Sequence, residues 1–352
     1  MILYLLLGFI LLFFSFFGKK SKVIFILLLL ALVLISSIRA YSVGFDTSIY
    51  LNEYTYANNL EWSDLFSTEY PLFNAYCKIL GFFNFDHRMF IVATSIFIGI
   101  LVYFICNKTN NPILTLSIFY LLGLYLQTFC IIRQCIAILF IALGFFSFTN
   151  GRIRNVIIYY VFNAIAIGFH FSSIVLLTLP IFYLIFGHFK SSKYKYLIIG
   201  LIFLFVTYAI SISIYPYIDS FLFGKYKYEY STYGKRSFDG NLDGGILYSI
   251  LYLLLYSIYY LKFDSVNDVK NKEIGILFII AFSFNAFSYM SEDLGRLNLF
   301  LEYLLVFKIS DLLDIDYNNK YKYYYVYGII FAAYLILYLS RNSIGVVPYM
   351  VF

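Results

Sequence analysis

Charge is what this sequence has least of. Only 12% of its 352 residues are Asp, Glu, Lys or Arg, against about 25% in a soluble globular domain. A chain so depleted cannot cover a water-facing surface, and it reads as a polytopic membrane protein. Cysteine is scarce too: Cys77, Cys106, Cys130 and Cys135 lie in or beside apolar runs with no CxxC and no Cys/His spacing. They read as inert packing residues, and no metal or other cofactor is expected. The sequence has no Walker A, HExxH or GxSxG motif. No DxD pair or nucleotide-sugar Rossmann unit stands out, and no soluble stretch is long enough to hold one.

What fills the chain is hydrocarbon, with 62% hydrophobic residues, 41 Phe and 38 Tyr and a mean hydropathy of +0.83. The usage of Ile, Asn, Lys, Phe and Tyr is that of an AT-rich genome, so part of the aromatic excess is compositional. The net charge of +6 is read as a set of topology determinants rather than as a nucleic-acid signal. Because about 20 apolar residues cross a bilayer, roughly twelve runs are candidate spans: Ile2–Phe17, Val23–Ile38, Phe90–Cys106, Pro112–Phe129, Gln134–Phe148, Val156–Gly168, Ser172–Phe186, Leu197–Ile214, Ile246–Leu261, Ile274–Met290, Leu297–Ile309 and Tyr324–Leu339. Leu72–Phe85 has helical periodicity but is too short to span, and is expected to be interfacial or re-entrant. No basic region precedes the first run, which is expected to be a retained span rather than a cleaved signal. With no internal repeat and no soluble domain, residues 1–352 are expected to form a single membrane domain.

The loops holding Lys19, Lys20 and Lys22, then Lys108, Arg152 and Arg154, then Lys190, Lys193 and Lys195, then Lys262, Lys270 and Lys272, then Lys320 and Lys322 fall on one side. That side is expected to be cytoplasmic, with both termini outside. The opposite side then carries two long loops, about 39–88 and 215–245. The first is the longest polar interval in the chain. It holds the only tryptophan, Trp62, and the carboxylates Asp46, Glu53, Glu61, Asp64, Glu69 and Asp86.

Topology selection thins cations on an outer face, yet Arg39, Arg88, Arg133 and Arg296 sit there at span ends, with Lys225, Lys227, Lys235 and Arg236 in the second loop. Interfacial snorkelling accounts for some of these. Arg133, in FCIIRQC, has apolar neighbours on both sides, and a charge at that depth requires a partner. Guanidinium groups match phosphate oxygens in bidentate geometry, so the cluster is a candidate pyrophosphate site. His170, in GFHFSS, is either a backbone-bonded interfacial histidine or a base. Asp46 and Glu69 are either counter-charges for arginines or groups that bind or deprotonate a sugar hydroxyl. The alternating KYKYEYSTYGKR of the second loop reads equally as an interfacial belt or as a sugar and phosphate contact.

Four segments together resemble the EpsG family, within the wider group of Wzy-type O-antigen and capsule polymerases. They are IRAYSVGFDTSIYLNEY, STEYPLF with Tyr70 inserted relative to the family pattern, IIRQCIAILFIALGFF followed by AIAIGFHFSSIVLLTLPIF, and LGRLNLFLEYLLVFKI. In the first, Arg39, Val43, Gly44, Asp46 and Tyr50 match. The resemblance implies an all-α helical bundle like that of the GT-C glycosyltransferases and O-antigen ligases. It implies polymerisation of undecaprenyl-pyrophosphate-linked repeat units at the outer face of a bacterial cytoplasmic membrane. Arg39, Arg133, Gln134, Arg296, Lys225 and Arg236 would then bind pyrophosphate or sugar, with His170, Asp46 and Glu69 as candidate bases. Membrane lipid, a chain-length regulator and a flippase are the expected partners, and no nucleic acid is. A lipid-linked oligosaccharide flippase, a polysaccharide ligase and a non-enzymatic assembly component are the alternative readings.

Overall fold

The apolar runs become helices wherever the backbone can continue, and the exceptions are set by proline and glycine. The computed structural model describes residues 1–17, 21–148, 153–187, 192, 194–202, 205–206, 242–263, 268–288, 297–314, 320–342 and 344–351. The regular elements among them are all helices, with no strand beyond one isolated bridge pair, Arg39 with Val351. The contacts divide them into two compact units, Met1–Thr178 with Asp316–Phe352, and Leu179–Ile315.

In the first unit α1 (Ile2–Phe17), α2 (Lys22–Ile38), α5 (His87–Cys106), α8 (Ile132–Phe148) and α9 (Ile153–Phe169) coincide closely with the expected runs. The run Pro112–Phe129 does not hold as one helix. It divides into α6 (Pro112–Leu121) and α7 (Leu124–Gln127) at Gly123, whose φ of 76° is left-handed, a conformation that closes a helix at little cost only for glycine. Ser172–Phe186 also divides, into a 3-10 turn (Phe171–Thr178) and α10 (Leu179–Gly187). Pro180 falls in the first turn of α10, where its missing N–H leaves no bond unmade. The C-terminal helix of this unit is Lys320–Arg341.

Among the described residues only α5 is long and apolar enough to cross a membrane unaided; the remaining apolar helices are shorter. At 1.5 Å per residue, α1 and α2 reach only about 25 Å, against a hydrocarbon core of about 30 Å. The count of about twelve spans, several of them short, is therefore not confirmed among the described residues. The second unit packs Leu242–Lys262, Asp268–Ser288 and Leu297–Asp314 together, with a buried Lys308–Glu273 ion pair at 2.8 Å.

The polar interval 39–88 is folded rather than loose. It forms α3 (Thr47–Asn59), a short 3-10 turn (Asp64–Ser67) and α4 (Pro71–Phe82), an interfacial-length helix where one was expected. Tyr50, Leu51, Tyr54 and Ala57 make the buried face of α3, and Phe73, Asn74 and Cys77 that of α4. Pro71 opens α4 at its first position, where its fixed φ is pre-organised for a helix. The C-terminal segment fastens the start of the interval through Ala40 N to Met350 O, Gly44 N to Gly345 O and Phe45 N to Ile344 O, at 2.8, 2.8 and 3.1 Å. The four cysteines are buried and none is in a disulfide.

Gly44 sits at the junction, with φ of 93°, and a Cβ there would collide with the Phe129 carbonyl. Thr47 Oγ1 donates to that same carbonyl at 3.2 Å. Gly44→Ala is expected to cost at least about 1–3 kcal/mol from left-handed strain alone. It should therefore lower the thermal midpoint of the purified protein; an unchanged midpoint would contradict this packing.

Candidate active site

Asp46, Tyr50 and Glu53 are spaced by four and three residues, which places them along one face of α3. Arg133 lies in the first turn of α8, an end that already carries partial positive charge. Its Nη1 donates to Glu53 Oε1 at 2.7 Å, and the two side chains are 16% and 26% exposed. The pair is thus half-sheltered yet reachable. Arg133 Nε and Glu53 Oε2 are buried and have no hydrogen-bond partner.

Aromatic rings complete the setting. The Arg133 guanidinium lies 3.8 Å from the centroid of Tyr70, 5.4 Å from Tyr50 and 5.7 Å from Phe73, within range of cation–π attraction. Tyr70 stacks on His170 with centroids 5.8 Å apart and planes 13° from parallel, and its hydroxyl donates to Glu69 Oε1 at 2.5 Å. Gly168 makes this approach possible, because a Cβ there would stand 2.5 Å from Leu72 Cγ. Without it α4 could not lie against the end of α9, and Tyr70 could not meet His170. Burial pushes the Glu53 carboxyl above the ordinary carboxylate range; Arg133 pulls it back, and the charges of Glu69 and Asp46 push it up.

The fold therefore gathers Arg133, His170, Glu69 and Asp46 from three stretches distant in sequence. Gln134, beside Arg133, is buried. Arg39 is placed differently. It is 2% exposed, donates from Nη1 to Ser36 O at 2.7 Å and lies 4.8 Å from the Phe129 ring centroid. Its Nε is buried and unpartnered, and burial lowers its pKa to about 10. Arg88 reinforces this corner by donating to the Arg39 carbonyl at 3.1 Å. Arg296, Lys225 and Arg236 lie outside the described residues, as does most of the loop 215–245. Among the described residues no group of three or more His, Cys, Asp or Glu could hold a metal ion.

Sequence reasoning missed two members of the cluster. Glu53 was one of six carboxylates with no assigned partner, although its spacing from Asp46 and Tyr50 marked it. Tyr70 was read as an insertion, yet it is the ring that joins Arg133 to His170.

To this point the molecule is an all-helical chain with a guanidinium-centred polar cluster set among aromatic rings. Its family follows from comparison: the chain belongs to the EpsG family, whose pattern matches residues 22–351, nearly the whole length. Members of that family are Wzy-type polymerase-like, and the family is one of polysaccharide biosynthesis. No curated protein and no solved structure matches the chain.

Removing Glu53 strips a half-buried guanidinium of its counter-charge, and a lost hydrogen bond to a charged group costs about 1.5–3 kcal/mol. Glu53→Ala and Arg133→Ala are each expected to lower thermal stability, with the double variant recovering part of the sum. Strictly additive losses in that cycle would show that the two groups are not coupled.

Proposed function

We propose that this protein is a polysaccharide polymerase acting on undecaprenyl-pyrophosphate-linked repeat units at the outer face of a bacterial cytoplasmic membrane. One observation carries the reading: a guanidinium that keeps 16% exposure, paired to Glu53 at 2.7 Å and joined through Tyr70 to His170. Membrane insertion as a single domain of helices is supported by the exposed apolar faces of α1 and α2, where Ile2, Phe9, Val23 and Leu27 are open. Apolar patches of this kind mark lipid or partner contact. Helices shorter than the hydrocarbon core are accommodated by local thinning of the bilayer and by snorkelling flanks.

In the reaction, a hydroxyl at the non-reducing end of the incoming repeat attacks the anomeric carbon of the growing chain's reducing-end sugar. The bond from that carbon to the pyrophosphate oxygen breaks, and its electron pair leaves on undecaprenyl pyrophosphate. Negative charge grows on the leaving group, where Arg133 is the clamp, and Gln134, Arg39 and Arg296 are the further candidates for it. Lys225 and Arg236 add cationic contacts to sugar or phosphate. The hydroxyl proton passes to His170, Asp46 or Glu69. Glu53 joins these candidates, since burial moves its carboxyl toward the working pH, which favours a general base. No cofactor takes part. The substrate comes from the membrane, and a flippase and a chain-length regulator of the same pathway are the natural partners.

The test is elongation of the native lipid-linked oligosaccharide by purified protein, read on a gel. The wild type is expected to give a ladder rising by one repeat, with release of undecaprenyl pyrophosphate. Arg133→Ala that still inserts should lose about 100-fold or more of the rate, the order seen when one charge-stabilising donor is removed. An unchanged substrate with folded wild type, or full activity in Arg133→Ala, would overturn the assignment.

A further inference from the structure

We propose that a cavity at the C-terminal ends of α3 and α4 is a saccharide subsite that holds a sugar ring of the repeat unit away from the reacting centre. This deepens the polymerase reading and rests on it. The cavity has a volume of about 500 Å³ and is lined by Asn58, Trp62, Lys78, Phe82, Asn84 and Phe85. That falls within the roughly 300–1,000 Å³ of small-molecule sites.

The lining has the chemistry of sugar recognition. Trp62 is the only tryptophan in the chain and is 54% exposed, an indole face open to the apolar C–H side of a pyranose. Asn58 contributes an amide to the lining, packed against Gly81. Asn84, also in the lining, holds a left-handed φ of 55°, which asparagine tolerates better than most residues. Lys78 Nζ lies 5.6 Å from the Trp62 ring centroid and donates to the carbonyls of Asn58 and Leu60. An ammonium has three donors, so one remains for a ligand oxygen. A tryptophan serving only as an interfacial anchor needs none of these amides.

Position fits the assignment. Asn58 follows Glu53 by five residues, about 7.5 Å along the axis of α3. Tyr50 meets Phe73 near Arg133 and Asn58 meets Lys78 at the cavity, so α3 and α4 run side by side between the two, and an oligosaccharide whose reacting end meets Arg133 would follow that pair of helices to the cavity. A ring held here would fix the register of the acceptor and select which repeat is extended.

Because Trp62 is the sole tryptophan, its fluorescence reads the cavity directly. The probe is the native repeat oligosaccharide freed from its lipid carrier by mild acid. Titration into the purified full-length protein is expected to change the emission saturably, with affinity falling roughly tenfold in Lys78→Ala and in Asn84→Ala. In elongation assays Trp62→Ala should raise KM roughly tenfold, well beyond any fall in kcat, and Trp62→Phe, which keeps a ring, should recover part of the loss. Trp62 is largely solvent-exposed, so its truncation opens no core cavity. A normal ladder from wild type with no fluorescence response and an unaltered KM in Trp62→Ala would overturn the subsite alone. A sugar response with no ladder would overturn the polymerase reading alone. Quenching of Trp62 by lipids brominated near the headgroup, with no response to sugar, would make it a membrane anchor and sink the proposal.

Discussion

A guanidinium in the first turn of an apolar helix has to be neutralised. Arg133 stands where the α8 N-terminus is already partly positive, so its presence is sustained only by a counter-charge brought from elsewhere. That charge comes from Glu53, on a helix that lies 80 residues earlier. Much of the first unit serves this meeting. The C-terminal segment fastens residues 40–45, Thr47 ties the start of α3 to the Phe129 carbonyl, and α8 begins three residues later at Ile132.

The same pair explains why the aromatic residues matter beyond composition. Tyr50, Tyr70 and Phe73 surround the guanidinium with ring faces. They lower the local polarity while leaving Nε unpartnered. A cation held this way is positioned in advance of any anionic ligand, so binding charge requires little rearrangement, the condition under which electrostatic stabilisation is largest. Arg39 shares the aromatic setting but is nearly sealed, over Phe129 and against Ser36 O. Its first consequence is structural, since it seals the corner where α2 ends and the C-terminal segment pairs.

Much of this was legible from sequence, and for identifiable reasons. Helix positions followed from unbroken apolar runs, as in Ile2–Phe17. The run through Gly123 misled because a glycine among leucines gives no hydropathy signal, although its left-handed φ divides the helix. Arg133 was legible as a charge in need of a partner, because its neighbours are apolar. The partner itself was not, since pairing α3 with α8 is a tertiary fact that no local pattern encodes. Tyr70 was discounted because it broke a motif, whereas its place before Pro71, which disfavours helical backbone, is what lets it cap α4 (φ −127°, ψ 67°). Gly168 is visible in GFHFSS, but its role as the gap that admits Leu72 is set by the packing of α4 on α9, which no local pattern encodes. The span count is not confirmed among the described residues, because hydropathy measures composition and not the length the backbone keeps helical.

The central claim is that Arg133 holds a lipid pyrophosphate, and the direct measurement is photo-crosslinking with undecaprenyl pyrophosphate carrying a diazirine beside the phosphates. The account predicts adducts on peptides spanning the start of α8 and the middle of α3, competed by unlabelled undecaprenyl pyrophosphate and lost in a folded Arg133→Gln variant. Adducts confined to other segments, or labelling of equal strength in Arg133→Gln, would contradict it.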